Sequence, residues 1–300
     1  MQRIQDAPKS TLSSYRLWQL ASSVLVNAFL IVTALLIVVP FVWMITAAFK
    51  PVSELFITPL TVLPQQFTLE NFQALFSATS TSAQGSSAIF PRWYLNSLIV
   101  ATAVTIIATF FSALAGFGFA KYHFRGKSIL LAVLLGSMLV PFVVVAVPLF
   151  ILMSRLKLLD NMLALILPFM APAFGIFMMT QYMQNLPDEL VDAARIDGAS
   201  DLGIFWRIVV PLVRPALGAL AIYLFLQAWN SYFWPLLVMN NPANLTLPVG
   251  LGSLRGENFK FENYGRVLAG AALISAPMVF LFLSLQRQFI SGLTLGAVKE

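Results

Sequence analysis

The chain has 300 residues, of which 59% are hydrophobic and 10% charged, with a mean hydropathy of +0.85 and a net charge of +6. Soluble domains carry about 25% charged residues, so lipid is the main solvent of this composition, and apolar runs spread from end to end favour one continuous membrane domain over two soluble ones. No cysteine is present, which excludes disulfides and thiolate chemistry, and the basic residues are scattered over loops as membrane-flanking charge, so no nucleic-acid partner is expected.

Residues 1–20 form a polar N-terminal segment bearing Arg3, Lys9 and Arg16. The apolar run that follows is far longer than a signal-peptide core and lacks a clear small-residue cleavage site, so it reads as a retained first span. A spanning helix needs about 20 mostly apolar residues. Six stretches qualify: 21–47, 96–120, 128–153, 162–182, 215–239 and 267–285, and none contains Asp, Glu, Lys, Arg or His. The expected fold is all-α: a polytopic membrane protein of about six transmembrane helices embedded in lipid.

An even number of spans puts both termini on one side. Of the 18 lysines and arginines, eleven then fall on the side of the termini and seven on the other, which predicts cytoplasmic termini. The short basic turn Lys121-Tyr-His-Phe-Arg-Gly-Lys127 is the clearest single vote for that orientation. Trp18, Trp93, Tyr94, Tyr182 and Trp234 stand near span ends, where aromatic belts belong. The outer segment 48–95 is amphipathic in parts and predicts short surface helices, with a flexible tip at the Ser/Thr/Gly/Ala-rich stretch 77–87. The second outer segment, 240–266, is rich in Gly, Asn and Pro and reads as loop.

Ion-coupled carriers commonly hold ionisable groups inside the membrane, and these spans have none. Their polar residues are neutral, and such residues commonly join helices. The best candidates for a solute path are Gln227, Asn230 and Ser231, clustered at helical spacing beside Trp229 and Tyr232. Pro141, Pro148, Pro168, Pro172 and Pro277 each free a carbonyl and can bend a span. With no coupling charge in the spans, energy is expected to arrive through the cytoplasmic loops. An ion-coupled secondary carrier for a neutral polar solute is the alternative. A membrane enzyme is disfavoured by the lack of Cys, the single His123 and the absence of HExxH.

The longest charged loop is 183–214. Pro187 suits a first helical turn, Asp188 and Glu189 complement its positive end, and Leu190, Ala193 and Ala194 share a face. Gly198 falls where the helix stops, Ser200 can cap a second helix with Ile204, Phe205 and Ile208 on its apolar face, and Pro211 and Pro215 end it. The spacing predicts helix–turn–helix.

Asp192-Ala-Ala-Arg-Ile-Asp-Gly198-Ala-Ser-Asp, followed by Phe205, Ile208 and Pro211, closely resembles the "EAA" loop of permease subunits of bacterial ABC importers. Further matches lie at Asn96-Ser97, Ala115-Gly-Phe-Gly-Phe-Ala-Lys-Tyr122, Phe124-Arg-Gly126, Pro148-Leu-Phe-Ile-Leu-Met153, Leu156-Lys-Leu158, Trp229-Asn230 and Phe289-Ile-Ser-Gly-Leu-Thr-Leu-Gly-Ala-Val-Lys299. Covering almost the whole chain, they are similar to the carbohydrate-uptake branch, with its maltose, arabinose-oligomer and glycerol-phosphate permeases.

The resemblance implies a type I importer fold in the cytoplasmic (inner) membrane, a second related permease subunit, two cytoplasmic ATP-binding subunits and an external solute-binding protein. ATP and Mg would be bound by the ATPase partners and no cofactor by this chain, which has no Walker A sequence and is not itself an enzyme. Residues 21–300 would form the transmembrane domain, with a cytoplasmic tail from 286. The resemblance makes Asp192, Ala193, Ala194, Asp197, Gly198 and Ala199, with Phe205 and Pro211, the ATPase-coupling residues. It puts Gly296, Ala297, Val298 and Lys299 at the ATPase interface, and Leu251, Gly252, Ser253, Leu254, Arg255 and Gly256 against the binding protein. Asp192 departs from the family's usual Glu: the charge is kept on a side chain one methylene shorter.

Overall fold

Backbone amides have no water to bond in lipid, so long apolar stretches become helices. The computed structural model describes residues 9–59, 61–77, 79–82, 85–254 and 263–294. It opens with α1 (Lys9–Ala47), followed by the short helices α2 (Val52–Leu55) and α3 (Glu70–Ser77) and a hairpin of β1 (Thr79–Ser82) and β2 (Gly85–Ala88). Then come α4 (Ile89–Lys121), α5 (Lys127–Met138), α6 (Phe142–Arg155), α7 (Leu163–Ile166) and α8 (Ala173–Gln184). The charged loop supplies α9 (Asp188–Ile196), α10 (Asp201–Ile204) and α11 (Val210–Leu212). The chain continues through α12 (Arg214–Trp229), α13 (Phe233–Val238), α14 (Leu247–Ser253) and α15 (Asn263–Thr294). The fold is all-α apart from the hairpin, in which Thr79 faces Ala88 and Ser82 faces Gly85. This hairpin occupies the stretch expected to be a flexible tip.

Four helical stretches are long and apolar enough to cross a membrane: Trp18–Ala47, Ile89–Lys121, Leu163–Gln184 and Tyr264–Ser284. Two bent pairs raise the number to six, α5 with α6 at 101° and Asp201–Leu212 with α12 at 82°. Three expected spans are not single α-helices, 162–182 being interrupted between Phe169 and Ala173 ahead of α8. The stretch 128–153 breaks at 139–141, because the ring of Pro141 obstructs the carbonyl four residues back. The stretch 215–239 stops at Trp229 and resumes at Phe233, with Pro235 forbidding a continuous helix through Ser231. Pro148 and Pro277, by contrast, sit inside unbroken helices.

Helix α4 is the central pillar and packs on α8 and α12. Small residues set the approach to α8. A Cβ on Gly116 would lie 2.6 Å from that of Met179, and one on Gly175 would strike the Ser112 hydroxyl. Membrane helices lack a hydrophobic drive to associate and rely on such close packing. Gly116→Val is expected to cost about 1–3 kcal/mol of overpacking, read as a lower Tm of purified protein; an unchanged Tm would show that the crossing is loose.

Three tryptophans tie neighbouring segments together. Trp93 donates its indole N–H to Pro242 O at 2.6 Å, Trp229 to Ile274 O at 3.0 Å and Trp234 to Ala164 O at 2.9 Å. All three are buried. Trp93 and Trp234 are thus internal anchors, not the belt residues their position near span ends predicts, whereas Trp18 is exposed. Asn96 donates to Ala243 O and Leu245 O, and the Ser97 hydroxyl accepts from Leu247 N–H at 2.7 Å. These two polar residues are interhelical joints.

Beyond α1 the chain folds into a cap. Asn71 donates to Ala48 O and Lys50 O. Buried Lys50 bonds the hydroxyl and carbonyl of Thr61, while buried Glu54 accepts from Thr61, Gln65 N–H and Gln66 N–H. The Gln65 amide, before the other partners, holds the Glu54 carboxyl below its ordinary pKa. A depressed carboxylate stabilises the fold above its unfolded pKa and stops doing so as pH falls through the folded one. The Gln65 and Gln66 amides are expected to stay protected from hydrogen exchange down to the usual glutamate range and to lose protection below it. Protection that ignores acidification would remove Glu54 as the clasp.

Candidate docking turn and central cavity

The helix–turn–helix forms as its residues dictate. Pro187 precedes α9, Asp188 and Glu189 occupy its first turn and Arg195 its last, each matching the helix dipole. At the end of α9, Gly198 N–H bonds Arg195 O at 3.0 Å and Ala199 N–H bonds Ala194 O at 2.9 Å, a Schellman turn. That turn requires a left-handed residue, and Gly198 has φ +79°. A Cβ at Gly198 would meet nothing within 4 Å, so the glycine serves the backbone conformation and faces open space. Ser200 then caps α10 by accepting from Gly203 N–H at 3.2 Å. The second helix runs on through a π-turn, Phe205–Val209, to Leu212.

Burial corrects the expected faces. Val191 and Ala194 point into the protein, whereas Leu190 and Ala193 are exposed. Asp192, Ile196, Asp197, Gly198 and Ala199 are exposed too, Ile196 to 87%. The outward surface of the turn therefore mixes small and apolar residues. Ile204 and Phe205 are buried, Phe205 packing on Phe117 with ring centroids 5.6 Å apart, and Pro211 is exposed.

Two cations pin this turn to the end of α4. Lys121, whose side chain is 2% exposed, donates to Leu186 O at 2.5 Å and to the Asp188 carboxylate at 2.6 Å. That hydrogen bond and charge lower the Asp188 pKa. Arg195 lies over the Tyr122 ring at 5.1 Å and reaches Asp192 at 3.6 Å and Asp201 at 3.7 Å. Burial first, then hydrogen bonding to Asp201, pushes the Tyr122 hydroxyl up.

Farther along α4, beside Val100 and Val104, a cavity of about 460 Å³ opens where α12 breaks. Gln227, Asn230 and Ser231 all line it, so the structure brings the three together. The Asn230 amide donates to Leu226 O at 2.8 Å and closes the broken helix. Asp160, without a role in the sequence reading, organises the neighbouring loop. With φ +61°, it accepts from Asn240 N–H at 3.1 Å and Asn241 N–H at 3.0 Å, and its carbonyl accepts from Asn244. Its legible signal was the Asp160-Asn161 pair, since short polar side chains tolerate the left-handed region.

Residues 108–294 match the family described as "Binding-protein-dependent transport system inner membrane component". The chain belongs to this permease family. It is 37% identical over 273 residues to the arabinooligosaccharides transport system permease protein AraQ of Bacillus subtilis, covering 90% of this chain and 94% of that one. It is 32% identical over 266 residues to the lactose transport system permease protein LacG of Rhizobium radiobacter, covering 89% and 92%. Among solved structures, a bacterial ABC transporter involved in the import of the acidic polysaccharide alginate matches with a TM-score of 0.74 at 21% identity, over 95% of this chain and all of that one, a likeness of fold.

Elsewhere in this permease, the stretch 240–254 of the segment expected to be an outer loop is less of a loop than its composition predicts. It holds a 3-10 turn, Pro242–Asn244, and α14. Leu251 is buried, lodged where a Cβ on Gly270 would collide with it. Gly252 and Leu254 are half-buried and Ser253 is exposed, so of these four Ser253 is the one presented outward. Arg255, Gly256 and the tail residues Gly296, Ala297, Val298 and Lys299 lie outside the described residues.

Proposed function

We propose that this permease is the membrane subunit of an ATP-driven importer of a sugar or sugar-like solute, working beside a second related permease, with α9 and its turn seated on a cytoplasmic ATP-binding subunit. The observation that carries the reading is the docking turn: a glycine-terminated helix with small and apolar residues outward and Val191 and Ala194 inward, clasped to α4 by buried Lys121. AraQ and LacG, by their names, serve arabinooligosaccharide and lactose systems, which supports the solute class. In this reading ATP is hydrolysed in the partner chains, and their closure moves α9 and switches the spans between inward-open and outward-open states. Both termini and the docking turn face the cytoplasm, as the basic bias indicates. Ser253 and its neighbours face an external binding protein.

The absence of native cysteine makes the test clean. Ala193→Cys in the assembled transporter is expected to cross-link to an ATP-binding subunit and to react only with reagent added from the cytoplasmic side. Ser253→Cys is expected to react only from outside. Failure of the Ala193→Cys link in a transporter that still takes up solute would end the docking assignment. Uptake that survives loss of ATP but stops when the proton gradient collapses would favour the ion-coupled alternative.

A further inference from the structure

The second helix of the docking turn has a side that nothing in this chain covers. Asp201–Leu212 meets α12 at 82°. A span crosses the bilayer, so a helix nearly perpendicular to it runs along the membrane surface. Ile204, Phe205 and Val209 are buried against the protein, whereas Leu202, Trp206 and Leu212 are 63%, 51% and 45% exposed. Tryptophan belongs at the membrane–water boundary, because its ring is apolar and its N–H polar.

Beside Trp206 a groove of about 310 Å³ opens between this helix, α4 and α12. Phe110, Trp206, Val210, Leu217 and Ala221 line it, and Trp206 stacks on Phe110 with ring centroids 6.0 Å apart. No lining residue is charged. Thr105 turns its hydroxyl back to Ala101 O at 2.6 Å, and the Thr109 hydroxyl is buried. The wall therefore offers a guest dispersion contacts and little else. Phe110 lies about 16 Å along α4 from Lys121, so the groove is set back from the docking turn toward the apolar length of the helix.

Two cations border this groove. Arg207 follows Trp206, and Arg214 stands one turn before Leu217 on the same side of α12. Both are exposed, and neither has an acidic partner among the described residues. The nearby acids are engaged elsewhere, Asp201 with Arg195 and Asp188 with Lys121. Arg214 opens α12, so along this helix a free guanidinium comes first and the apolar wall follows. That order matches an anionic phospholipid, with a phosphate at the surface and hydrocarbon below. A guanidinium pairs with phosphate oxygens through its planar fork. A zwitterionic headgroup brings its own cation and gains less. A helix of another protein would fill the groove without using either arginine.

We propose that this groove binds an anionic phospholipid, one acyl chain lying against Phe110, Trp206 and Leu217 and the phosphate held by Arg207 and Arg214. The lipid braces the second helix of the docking turn on the side that the protein leaves bare. In the importer reading this is the cytoplasmic leaflet, where anionic lipids gather, but the site itself holds whichever way the chain faces.

The test uses the full chain in its assembled transporter, in nanodiscs holding graded fractions of acyl-brominated phosphatidylglycerol or phosphatidylcholine. Bromine quenches a tryptophan that it touches, and the Trp206 share is the difference from Trp206→Phe. Phosphatidylglycerol is expected to quench Trp206 at a lower fraction than phosphatidylcholine. A cation near an anionic lipid contributes about fivefold in binding. Arg207→Gln and Arg214→Gln are each expected to cut the preference by about that factor, and the double variant to remove it, with Tm in phosphatidylcholine unchanged. Ala221→Leu fills the groove without touching a charge and is expected to weaken quenching by phosphatidylglycerol. Equal quenching by the two lipids, a preference that survives in the double variant, or undiminished quenching in Ala221→Leu would each overturn the site. So would the absence of quenching by either lipid, which would mean that another protein chain covers the groove. The importer reading is judged separately by ATP-dependent uptake and the Ala193→Cys link, and either result can fail while the other stands.

Discussion

Replacing Gly198 with valine is expected to abolish uptake while leaving membrane insertion intact. The left-handed conformation costs an ordinary L-residue about 1–2 kcal/mol, and a β-branched side chain is a worse fit still. Strain of that size opens the end of α9 without unfolding a protein whose core lies elsewhere. The second effect is external. The space above Gly198 is empty within this chain, so any side chain projects to where the ATP-binding subunit is proposed to sit. Two further variants separate these effects. Gly198→Asn keeps a residue that tolerates the left-handed region but adds bulk, so it should fold normally and lose ATPase association. Gly198→Ala adds little bulk but bears the strain, and should weaken association by about tenfold. Association measured by co-purification decides the matter: full binding by Gly198→Asn would mean the turn faces no partner.

The second large effect is expected from Lys121→Met. Methionine fills the buried volume of the lysine stem, yet leaves Leu186 O without its donor and Asp188 without its counter-ion. The Leu186 carbonyl loses its donor, whereas Asp188, whose side chain is 75% exposed, turns to water. The expected phenotype differs from that of Gly198. ATP-binding subunits should still assemble, because the outward face of α9 is untouched, but uptake per ATP hydrolysed should fall by about tenfold, the scale of a typical coupling free energy. Asp188→Asn keeps an acceptor but leaves the Lys121 ammonium buried without its counter-charge, and should be at least as severe. Adding it to Lys121→Met should cost nothing further, since the interaction is already gone. Additive losses in the double variant would place the two residues in separate roles.

The architecture was largely legible because lipid imposes a simple rule: six apolar stretches without charge have few alternatives to helices. The docking turn was legible for a local reason. Pro187, the acidic first turn, Gly198 and Ser200 are each tied to helix ends by backbone geometry. What escaped the sequence were features decided by distant contacts. Leu190 and Val191 are adjacent apolar residues, and only packing against the rest of the protein turned Val191 in and left Leu190 out. Trp93 and Trp234 look like belt residues until the carbonyls of Pro242 and Ala164 claim their indole nitrogens. The break at 230–232 had a local signal in Pro235.

One element touches both sites. Helix α4 runs unbroken from Ile89 to Lys121, 33 residues, or about 50 Å at 1.5 Å per residue. Its last residue grips the docking turn, and its first turns hold the strand of loop that leads into Thr246. A shared rigid element makes the exchange between the two ends a matter of thermodynamic reciprocity. Whatever factor a partner docked on the turn takes from or adds to the affinity for a solute in the cavity, that solute must return to the docking equilibrium unchanged. In the proposed importer a solute held beside α12 is then a regulator of its own motor, because docking at Gly198 cannot change solute affinity without being changed in return.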